Sequence, residues 1–345
     1  MNGQHAKEIR MFWTLLFLAF FVAIVFGVSR QALSVGWFLS LSVYGVLLAA
    51  LFGFSIDQWV EKWQVSFKGK STAGALPPLA LYGVYLVYAG LAGQLSGAAA
   101  LKGFLYLALP YLAIVADRSD GQRLNIWNAL AILLIWLPIE FGQLPKISAP
   151  LSEGVDYFKL AALVEGLYLF LVFKPVEGFG FNFLWTREDL RKVAAYFGIF
   201  IVFFAVPIGM PLHFIRPTPH LLPWYQWIVQ YIAIFLFTGI PEEILFRGMI
   251  HNFLQKTIRG KNGLWIALAI SSLIFGLAHG DNHNAPFLHL HLGALGTWDF
   301  PWVYVILASI AGWYYGLTYI RTKKMTAGAL VHAFVDTWWS VFFGG

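Results

Sequence analysis

The stretch at residues 238–248, TGIPEEILFRG, places two adjacent carboxylates and an arginine inside an otherwise apolar run. Glu243 and Arg247 are four residues apart with the acid first, a spacing that favours a same-face ion pair on a helix. Glu242 lies about 100° around the helix axis from Glu243 and has no partner within the stretch. In apolar surroundings, such a carboxyl is suited to proton transfer near neutral pH. The alternative is an ion pair that supports helix packing, beside a spare interfacial acid.

The stretch belongs to a chain with the composition of a membrane protein. Of its 345 residues, 59% are hydrophobic and 12% are charged, whereas soluble globular proteins carry about 25% charged residues. Apolar runs long enough to span a bilayer, about 20 residues, recur along the whole chain. The sequence therefore predicts an all-α, polytopic integral membrane protein with about eleven transmembrane helices, in a range of nine to eleven. The absence of cysteine excludes disulfides, thiolate nucleophiles and Cys-ligated zinc.

The basic residues alternate by loop. If the N-terminus is cytoplasmic, seventeen of the 23 Lys and Arg residues lie on the inside segments and five on the outside segments. The positive-inside rule thus accounts for the net charge of +6 without a nucleic-acid partner. It predicts a multi-pass protein with a cytoplasmic N-terminus, in a bacterial inner membrane or a similar one. Only Arg247 belongs to no loop, and it lies in the stretch quoted above.

Ionisable residues within the apolar runs concentrate in the later part of the chain. The first four runs carry only Lys102, near an end. The later runs carry Glu140, Glu165, Glu242, Glu243, Arg247, His279, His332 and Asp336. Because an ionised side chain at the bilayer centre costs at least about 2.5 kcal/mol, these residues indicate function. We therefore divide the chain into N-terminal transmembrane helices of unassigned role, 1–192, and a core that carries the chemistry, 193–345.

Two polar connections, 55–75 and 174–192, are predicted to lie at the membrane surface. In the second of them, Thr186 is followed three residues later by Asp189. This is the pattern of a helix N-cap with an acid at the third helical position. The pattern predicts a short surface helix.

Two later runs carry polar residues that could meet Glu242. Counted from the cytoplasmic loop at about 1.5 Å per residue, Glu242 and His279 lie at similar depths, roughly 21 and 24 Å. His332 and Asp336 are four residues apart on one helix face, where the acid can orient the imidazole. They lie shallower, so a tilt, a kink at Pro241 or a re-entrant segment is needed to bring all of them together. The alternatives are an interfacial histidine and a polar pair that stabilises helix contacts.

The three motifs together resemble a known family. EEILFR at 242–247, FGLAH at 275–279 and HAFVD at 332–336 follow the patterns E-E-x-x-x-R, F-x-x-x-H and H-x-x-x-N/D in that order. They resemble the CAAX prenyl endopeptidase and bacteriocin-processing family (CPBP, also called Abi) of intramembrane proteases. The resemblance covers about residues 225–340, roughly a third of the chain. It implies a CPBP-like helical protease core within 193–345 and does not interpret the N-terminal helices.

The resemblance implies that activated water hydrolyses a peptide bond of a membrane-associated or lipid-tethered, CAAX-like protein or peptide. It makes Glu242 the general base, with His279 helping to hold the attacking water. Glu243 would be a second essential acid or a structural support, with Arg247 as its ion-pair partner. The lipid bilayer is then the medium through which the substrate arrives.

The same resemblance implies that His332 and Asp336 stabilise the oxyanion that forms when water adds to the carbonyl. Asp336 stands where many members of the family have asparagine. An ionised aspartate would repel an oxyanion. We therefore expect Asp336 to be protonated or to orient His332.

A zinc site is an alternative use of these residues. Two histidines and two or three carboxylates could ligate zinc and leave a position for water. The candidate ligands are Glu242, His279 and His332. The acid-and-water mechanism requires no cofactor and is slightly favoured, while Zn²⁺ remains open.

Two other classes of function fit the buried Glu and His set. A transporter or channel could use it as an ion relay, although no internal repeat of the kind found in transporters is evident. A non-catalytic CPBP-like immunity or scaffold protein could keep the motifs without the activity. Substitution of Glu242 distinguishes both of these functions from that of a protease.

The histidine-rich loop at 279–293, HGDNHNAPFLHLHLG, adds His283, His289 and His291 on the predicted outer side. It could form an accessory metal site or a lid. An interfacial loop is the favoured interpretation.

Overall fold

The computed structural model describes residues 3–29, 34–147, 156–217, 223–282, 286–291, 293 and 296–343. The chain forms two compact units, Met1–Phe179 and Gly180–Gly345. The sequence-based division after residue 192 falls slightly later along the chain. All the residues of the three motifs lie in the second unit.

The first unit contains eight helices among its described residues. They are α1 (Gly3–Ser29), α2 (Val35–Gly53), α3 (Asp57–Phe67), α4 (Ser71–Gly74), α5 (Leu76–Leu91), α6 (Gly97–Ala116), α7 (Ile126–Glu140) and α8 (Tyr157–Leu167), and a π-helical segment, Tyr168–Phe173, continues α8. The side chains of Ser34, Ser96 and Asn125 accept hydrogen bonds from first-turn N–H groups and so fix where α2, α6 and α7 begin. Helix α3 has no buried residue; the position of the connection 55–75 at the membrane surface stays a prediction.

Glu165 in α8 is fully buried, and neither of its carboxyl oxygens has a hydrogen-bond partner among the described residues. The hydroxyls of Tyr106 and Tyr157 donate instead to the carbonyls of Ile135 and Leu81. The Glu165 carboxyl group is therefore buried in the first unit without a hydrogen-bond partner among the described residues.

The second unit carries the motifs. Its elements are α9 (Arg187–Phe200), α10 (Val206–Gly209), α11 (Trp224–Ile234), α12 (Ile240–Glu243), α13 (Asn252–Thr257), α14 (Gly263–Leu277), β1 (Leu288–His291), β2 (Thr297–Phe300), α15 (Trp302–Thr322) and α16 (Met325–Phe343). Helix α15 packs against α9, α14 and α16. Strands β1 and β2 form an antiparallel pair, which is the sheet found among the described residues of this otherwise helical chain.

Seven helices in the described part of the chain are long and apolar enough to cross a membrane. They are Gly3–Val28, Val35–Gly53, Ser71–Leu91, Gly97–Ala116, Arg187–Gly209, Trp224–Thr257 and Trp302–Thr322. Two shorter apolar helices, Ile126–Glu140 and Gly263–Leu277, accompany them. The protein is thus an integral, multi-pass membrane protein, while the expected count of about eleven spans is not confirmed. The cytoplasmic position of the N-terminus stays a prediction.

Thr186 caps α9 as its sequence indicates, but the helix is not a short surface helix. The Thr186 hydroxyl accepts from the Asp189 N–H at 3.1 Å, and the Asp189 carboxylate accepts from the Thr186 N–H at 2.9 Å. The expectation of a short helix was wrong because apolar residues follow the polar first turns without a break. The helix therefore continues into the span Arg187–Gly209.

The helix that carries Glu242 and Glu243 is interrupted on both sides by π-helical segments. Phe235–Gly239 precedes the short α-helix α12, and Ile244–His251 follows it. Pro241 lacks an N–H and its ring crowds the preceding turn, and a wider π turn relieves both constraints. The irregularity expected at Pro241 is therefore built from π turns that flank the two acids.

Small residues let α14 and α15 approach closely. The spacing of Gly312 and Gly316 predicts such contact, and a Cβ on Gly316 would lie 2.4 Å from Leu268 Cδ1. Across the contact, a Cβ on Gly276 would lie 2.5 Å from the Val305 carbonyl oxygen. This close packing places the end of α14, which leads to His279, against α15.

Candidate active site

A cavity of about 320 Å³ lies within the second unit. Its lining includes four of the ionisable residues that the motifs single out, namely Glu242, His279, His332 and Asp336. They come from three separate helical regions. The tertiary fold therefore brings these four side chains together around one space.

His332 is the residue on which the acids converge. Its Nε2 lies 3.3 Å from Asp336 Oδ2 and 3.7 Å from Glu242 Oε2. Its Nδ1 lies 3.4 Å from Glu243 Oε1. Carboxylates only accept hydrogen bonds, so the ring can donate to both sides only when both of its nitrogens carry protons. The ring is also stacked on Tyr315, with centroids 4.6 Å apart, which fixes its plane.

Glu243 and Arg247 lie behind the cavity wall rather than in the cavity. Arg247 Nη1 is 3.0 Å from Glu243 Oε1, and both side chains are 0% exposed. Arg247 also donates to the Gly312 carbonyl, and its guanidinium lies 4.8 Å from the ring centroid of Phe275. The arginine thus anchors Glu243, and Glu243 in turn contacts His332.

His279 presents a defined nitrogen to the cavity. Its Nδ1 is 2.8 Å from the Phe275 carbonyl oxygen. A carbonyl can only accept, so Nδ1 carries a proton, and when the ring is neutral Nε2 is left as an acceptor. The ring packs edge-on to Tyr304 with centroids 5.3 Å apart. This arrangement suits a residue that accepts a hydrogen bond from water.

Of the two adjacent acids, Glu242 is the one with access to the cavity. Its side chain is 31% exposed, compared with 0% for the neighbouring Glu243. Glu242 Oε2 has no hydrogen-bond partner among the described residues. Adjacent acids in the sequence therefore occupy different environments: one faces the cavity and the other is held by Arg247.

The aromatic wall of the cavity was missed by sequence reasoning. Phe214, Tyr304 and Trp339 pack on one another with centroid distances of 5.3 to 5.5 Å, and all three line the cavity. Tyr315 lies between Gly312 and Gly316, a stretch interpreted only as a packing motif. Aromatic residues are abundant throughout this chain, so no local signal distinguishes these four.

The residues of the cavity do not form an evident zinc site as they stand. Among the described residues, no three His, Asp or Glu side chains are grouped so that they could hold one metal ion. The candidate ligand His332 has carboxylates next to both of its ring nitrogens instead. Zinc dependence stays a prediction for metal analysis.

Comparison with known proteins agrees with the position of the site. Residues 224–338 match the family model described as type II CAAX prenyl endopeptidase Rce1-like, and this range contains the six ionisable residues of the three motifs. No curated protein and no solved structure matches the chain. The chain thus carries, at residues 224–338, an Rce1-like domain of the type II CAAX prenyl endopeptidase class in the CPBP family.

Proposed function

We propose that the protein is an intramembrane endopeptidase that hydrolyses a peptide bond of a membrane-associated or lipid-tethered substrate. The observation that supports this most strongly is the meeting of Glu242, His279, His332 and Asp336 at one cavity. The family match over residues 224–338 supports a CAAX-type protease in general. The proposed substrate class is a peptide with a lipid-modified cysteine near its C-terminus.

The first step of the proposed mechanism is the activation of water. A water molecule in the cavity donates one hydrogen bond to Glu242 and the other to His279 Nε2. As its oxygen bonds to the scissile carbonyl carbon, a proton passes to the Glu242 carboxylate. The π pair of the C=O bond moves to oxygen and gives a tetrahedral oxyanion. Glu242 suits this role because its partly exposed side chain lines the cavity and its buried oxygen Oε2 makes no hydrogen bond to a described residue.

His332 is the proposed donor to that oxyanion. When both ring nitrogens are protonated, Nδ1–H points at Glu243 and Nε2–H lies on the side of Asp336 and Glu242. A preorganised donor at the point where charge develops is worth roughly 10²–10³ in kcat. In this account, Glu243 holds the opposite nitrogen and Asp336 orients the ring, with the Nε2–H shared between the Asp336 carboxylate and the oxyanion, so neither acid needs to touch the substrate.

Collapse of the tetrahedral intermediate completes the reaction. The C=O bond re-forms, the C–N bond breaks, and Glu242 returns the proton to the leaving amine nitrogen. The products are a carboxylic acid and an amine, and Glu242 is again ionised. The apolar aromatic walls of the cavity favour this chemistry because low polarity strengthens the interaction of fixed donors with the oxyanion.

Glu242→Gln tests the proposal directly. The purified full chain in detergent or nanodiscs would be given a fluorogenic peptide with a prenylated cysteine and, in parallel, the same peptide without the lipid. We expect wild type to cleave the lipidated peptide and Glu242→Gln to lose at least about 100-fold in kcat, as expected when a general base is removed. Glu188→Gln, at an exposed acid in α9, is the matched control and should retain activity.

Other outcomes distinguish the alternatives. Equal cleavage by wild type and Glu242→Gln would contradict the proposed role of Glu242. No cleavage of any peptide by well-folded wild type would favour the scaffold function. Ion flux into liposomes that requires Glu242, without cleavage, would favour the transporter or channel.

A further inference from the structure

The hairpin formed by β1 and β2 carries two histidines on one face. Side chains alternate along a strand, so His289 and His291 of β1 point to the same side. The register pairs His289 with Asp299 and His291 with Thr297, which puts all four polar side chains on that face. Within the segment predicted to be a histidine-rich loop, the described residues thus form an ordered polar surface. His283 of the same segment lies outside the described residues.

The opposite face of the hairpin is apolar and borders the end of α14. Leu288 and Leu290 of β1 pair with Phe300 and Trp298 of β2. Atoms of Trp298 and Phe300 lie 3.4 and 3.8 Å from the position of a Cβ on Gly280, next to His279. The apolar face is therefore turned to the end of α14, and the histidine face is turned away from it.

The histidines are oriented by partners on β2. His289 Nδ1 lies 2.6 Å from Asp299 Oδ1, and His291 Nδ1 lies 3.1 Å from Thr297 Oγ1. The Asp299 carboxylate can only accept, so Nδ1 of His289 carries the proton and its Nε2 is free to bind. A carboxylate behind a histidine in this way is the usual support of a metal-ligating imidazole. Nδ1 of each ring is engaged across the hairpin; for His291 the partner is a hydroxyl, and its Nε2 is left for a ligand in the tautomer in which Nδ1 donates to Thr297.

We propose that His289 and His291 bind a divalent transition-metal ion through their Nε2 atoms, at a site separate from the cavity. Two residues on one strand face are about 6.6 Å apart at their Cα atoms. Because the imidazole rings extend from the strand, their Nε2 atoms can come close enough together to bind one ion, at metal–nitrogen distances of about 2.0–2.1 Å. Asp299 is then a positioning residue. Both histidines are exposed, so the ion can reach them from solvent.

The expected ligand set is two imidazoles completed by water. No described group of three His, Asp or Glu residues could hold an ion, so binding should be weaker than at a closed structural zinc site. Imidazole ligands favour Cu²⁺ and Zn²⁺ over Mg²⁺ and Ca²⁺, and Cu²⁺ should bind more tightly than Zn²⁺. A cross-strand pair that only stabilises the hairpin would bind neither.

The test is metal binding by the full-length protein without a histidine tag, in detergent. Zn²⁺ titration by calorimetry and Cu²⁺ electron paramagnetic resonance are performed on wild type, His289→Ala, His291→Ala and Asp299→Asn. We expect one Cu²⁺ with two nitrogen ligands in wild type, loss of this signal in either histidine variant, and a 10- to 100-fold weaker affinity in Asp299→Asn. His213→Ala, at another exposed histidine, is the control and should bind as wild type does.

Three results would overturn the proposal. One is the absence of Cu²⁺ and Zn²⁺ binding by folded wild type. A second is binding that is unchanged in both His289→Ala and His291→Ala. The third is binding that survives in these variants but is lost in His279→Ala, which would assign the ion to the cavity. Because the readout is binding, failure here is independent of whether the cavity cleaves peptides.

Discussion

The Glu243 carboxylate lies 3.0 Å from the Arg247 guanidinium, with both side chains fully buried. The pair is the reason why two neighbouring acids in one stretch have different environments. Glu243 is held by Arg247 and contacts His332, whereas Glu242 faces the cavity. The arginine that belongs to no loop is thus accounted for by a contact inside the protein.

Removing one member of this pair should destabilise the fold. Arg247→Met leaves the Glu243 carboxylate buried without its counter-ion, a change that typically costs about 3–5 kcal/mol. We expect a markedly lower thermal unfolding temperature in detergent. The double variant Glu243→Gln/Arg247→Met removes both charges of the pair together and should recover part of the loss. A single variant as stable as wild type would contradict the structural role of the pair.

Gly328 is predicted to tolerate no larger side chain, because it borders Glu243. A Cβ at this position would lie 2.9 Å from Glu243 Oε2 and 2.9 Å from the Tyr315 carbonyl oxygen. Gly328→Ala should therefore move α16. His332 lies one turn further along this helix and should move with it, so both kcat and the unfolding temperature should fall.

Gly198→Ala is the control for this substitution. Gly198 is also helical, but a Cβ there meets nothing within 4 Å, so alanine should be neutral or stabilising by up to about 1 kcal/mol. Activity and unfolding temperature are measured for both variants. If Gly328→Ala matched Gly198→Ala in both measurements, the close contact with Glu243 would not hold.

The pairing within the first motif could be predicted from sequence because it depends on local spacing. Glu243 and Arg247 are separated by one helical turn, and the scarcity of charge in the surrounding run leaves each few other partners. The capping residues Thr186 and Asp189 were predictable for the same reason. Local chemistry alone decides both features.

The arrangement around His332 could not be predicted, because it depends on how separate helices pack. Depth counted along straight helices gives His332 a shallower position than Glu242. The π turns around Pro241 and the glycine contacts of α14 and α15 change the geometry that such counting assumes. The hairpin of β1 and β2 was missed because its strands are only four residues long.

Stability in acid should depend on an ion pair outside the membrane-spanning helices of the first unit. Burial opposes ionisation of Asp117, but Lys174 and the Ser119 N–H hydrogen-bond its carboxylate and lower its pKa to about 2. An aspartate in an unfolded chain has a pKa of about 3.9. Because the folded-state pKa is below that value, ionised Asp117 stabilises the protein above about pH 4. The protein loses this contribution as the pH falls towards 2.

The comparison of wild type with Asp117→Asn checks this pH dependence. We expect the variant to unfold at a lower temperature than wild type at pH 7, with the difference shrinking steadily between pH 5 and pH 2. Asp120→Asn alters an exposed acid on the same loop and serves as the control. A difference that stayed constant over this range would show that the pair does not act through ionisation of Asp117.

Chelators should leave peptide cleavage unchanged if water is activated by Glu242 alone. The purified protein is treated with 1,10-phenanthroline, its metal content is measured by mass spectrometry, and cleavage is compared before and after. The hairpin site could also release an ion, so the same treatment is applied to His289→Ala. Loss of cleavage on chelation in both proteins, restored by Zn²⁺, would instead support zinc in the cavity.

Asp336→Asn should retain most of the activity, whereas Asp336→Leu should not. Asp336 Oδ2 lies 3.3 Å from His332 Nε2, and an amide oxygen can accept from the same N–H, so asparagine keeps the imidazole oriented. We expect Asp336→Asn to stay within about tenfold of wild-type kcat and Asp336→Leu to fall by about 10²–10³, the usual effect of losing an oxyanion donor. Unchanged KM in both variants would show that Asp336 acts on the transition state rather than on substrate binding. Equal activity of the two variants would mean that Asp336 does not act through its contact with His332.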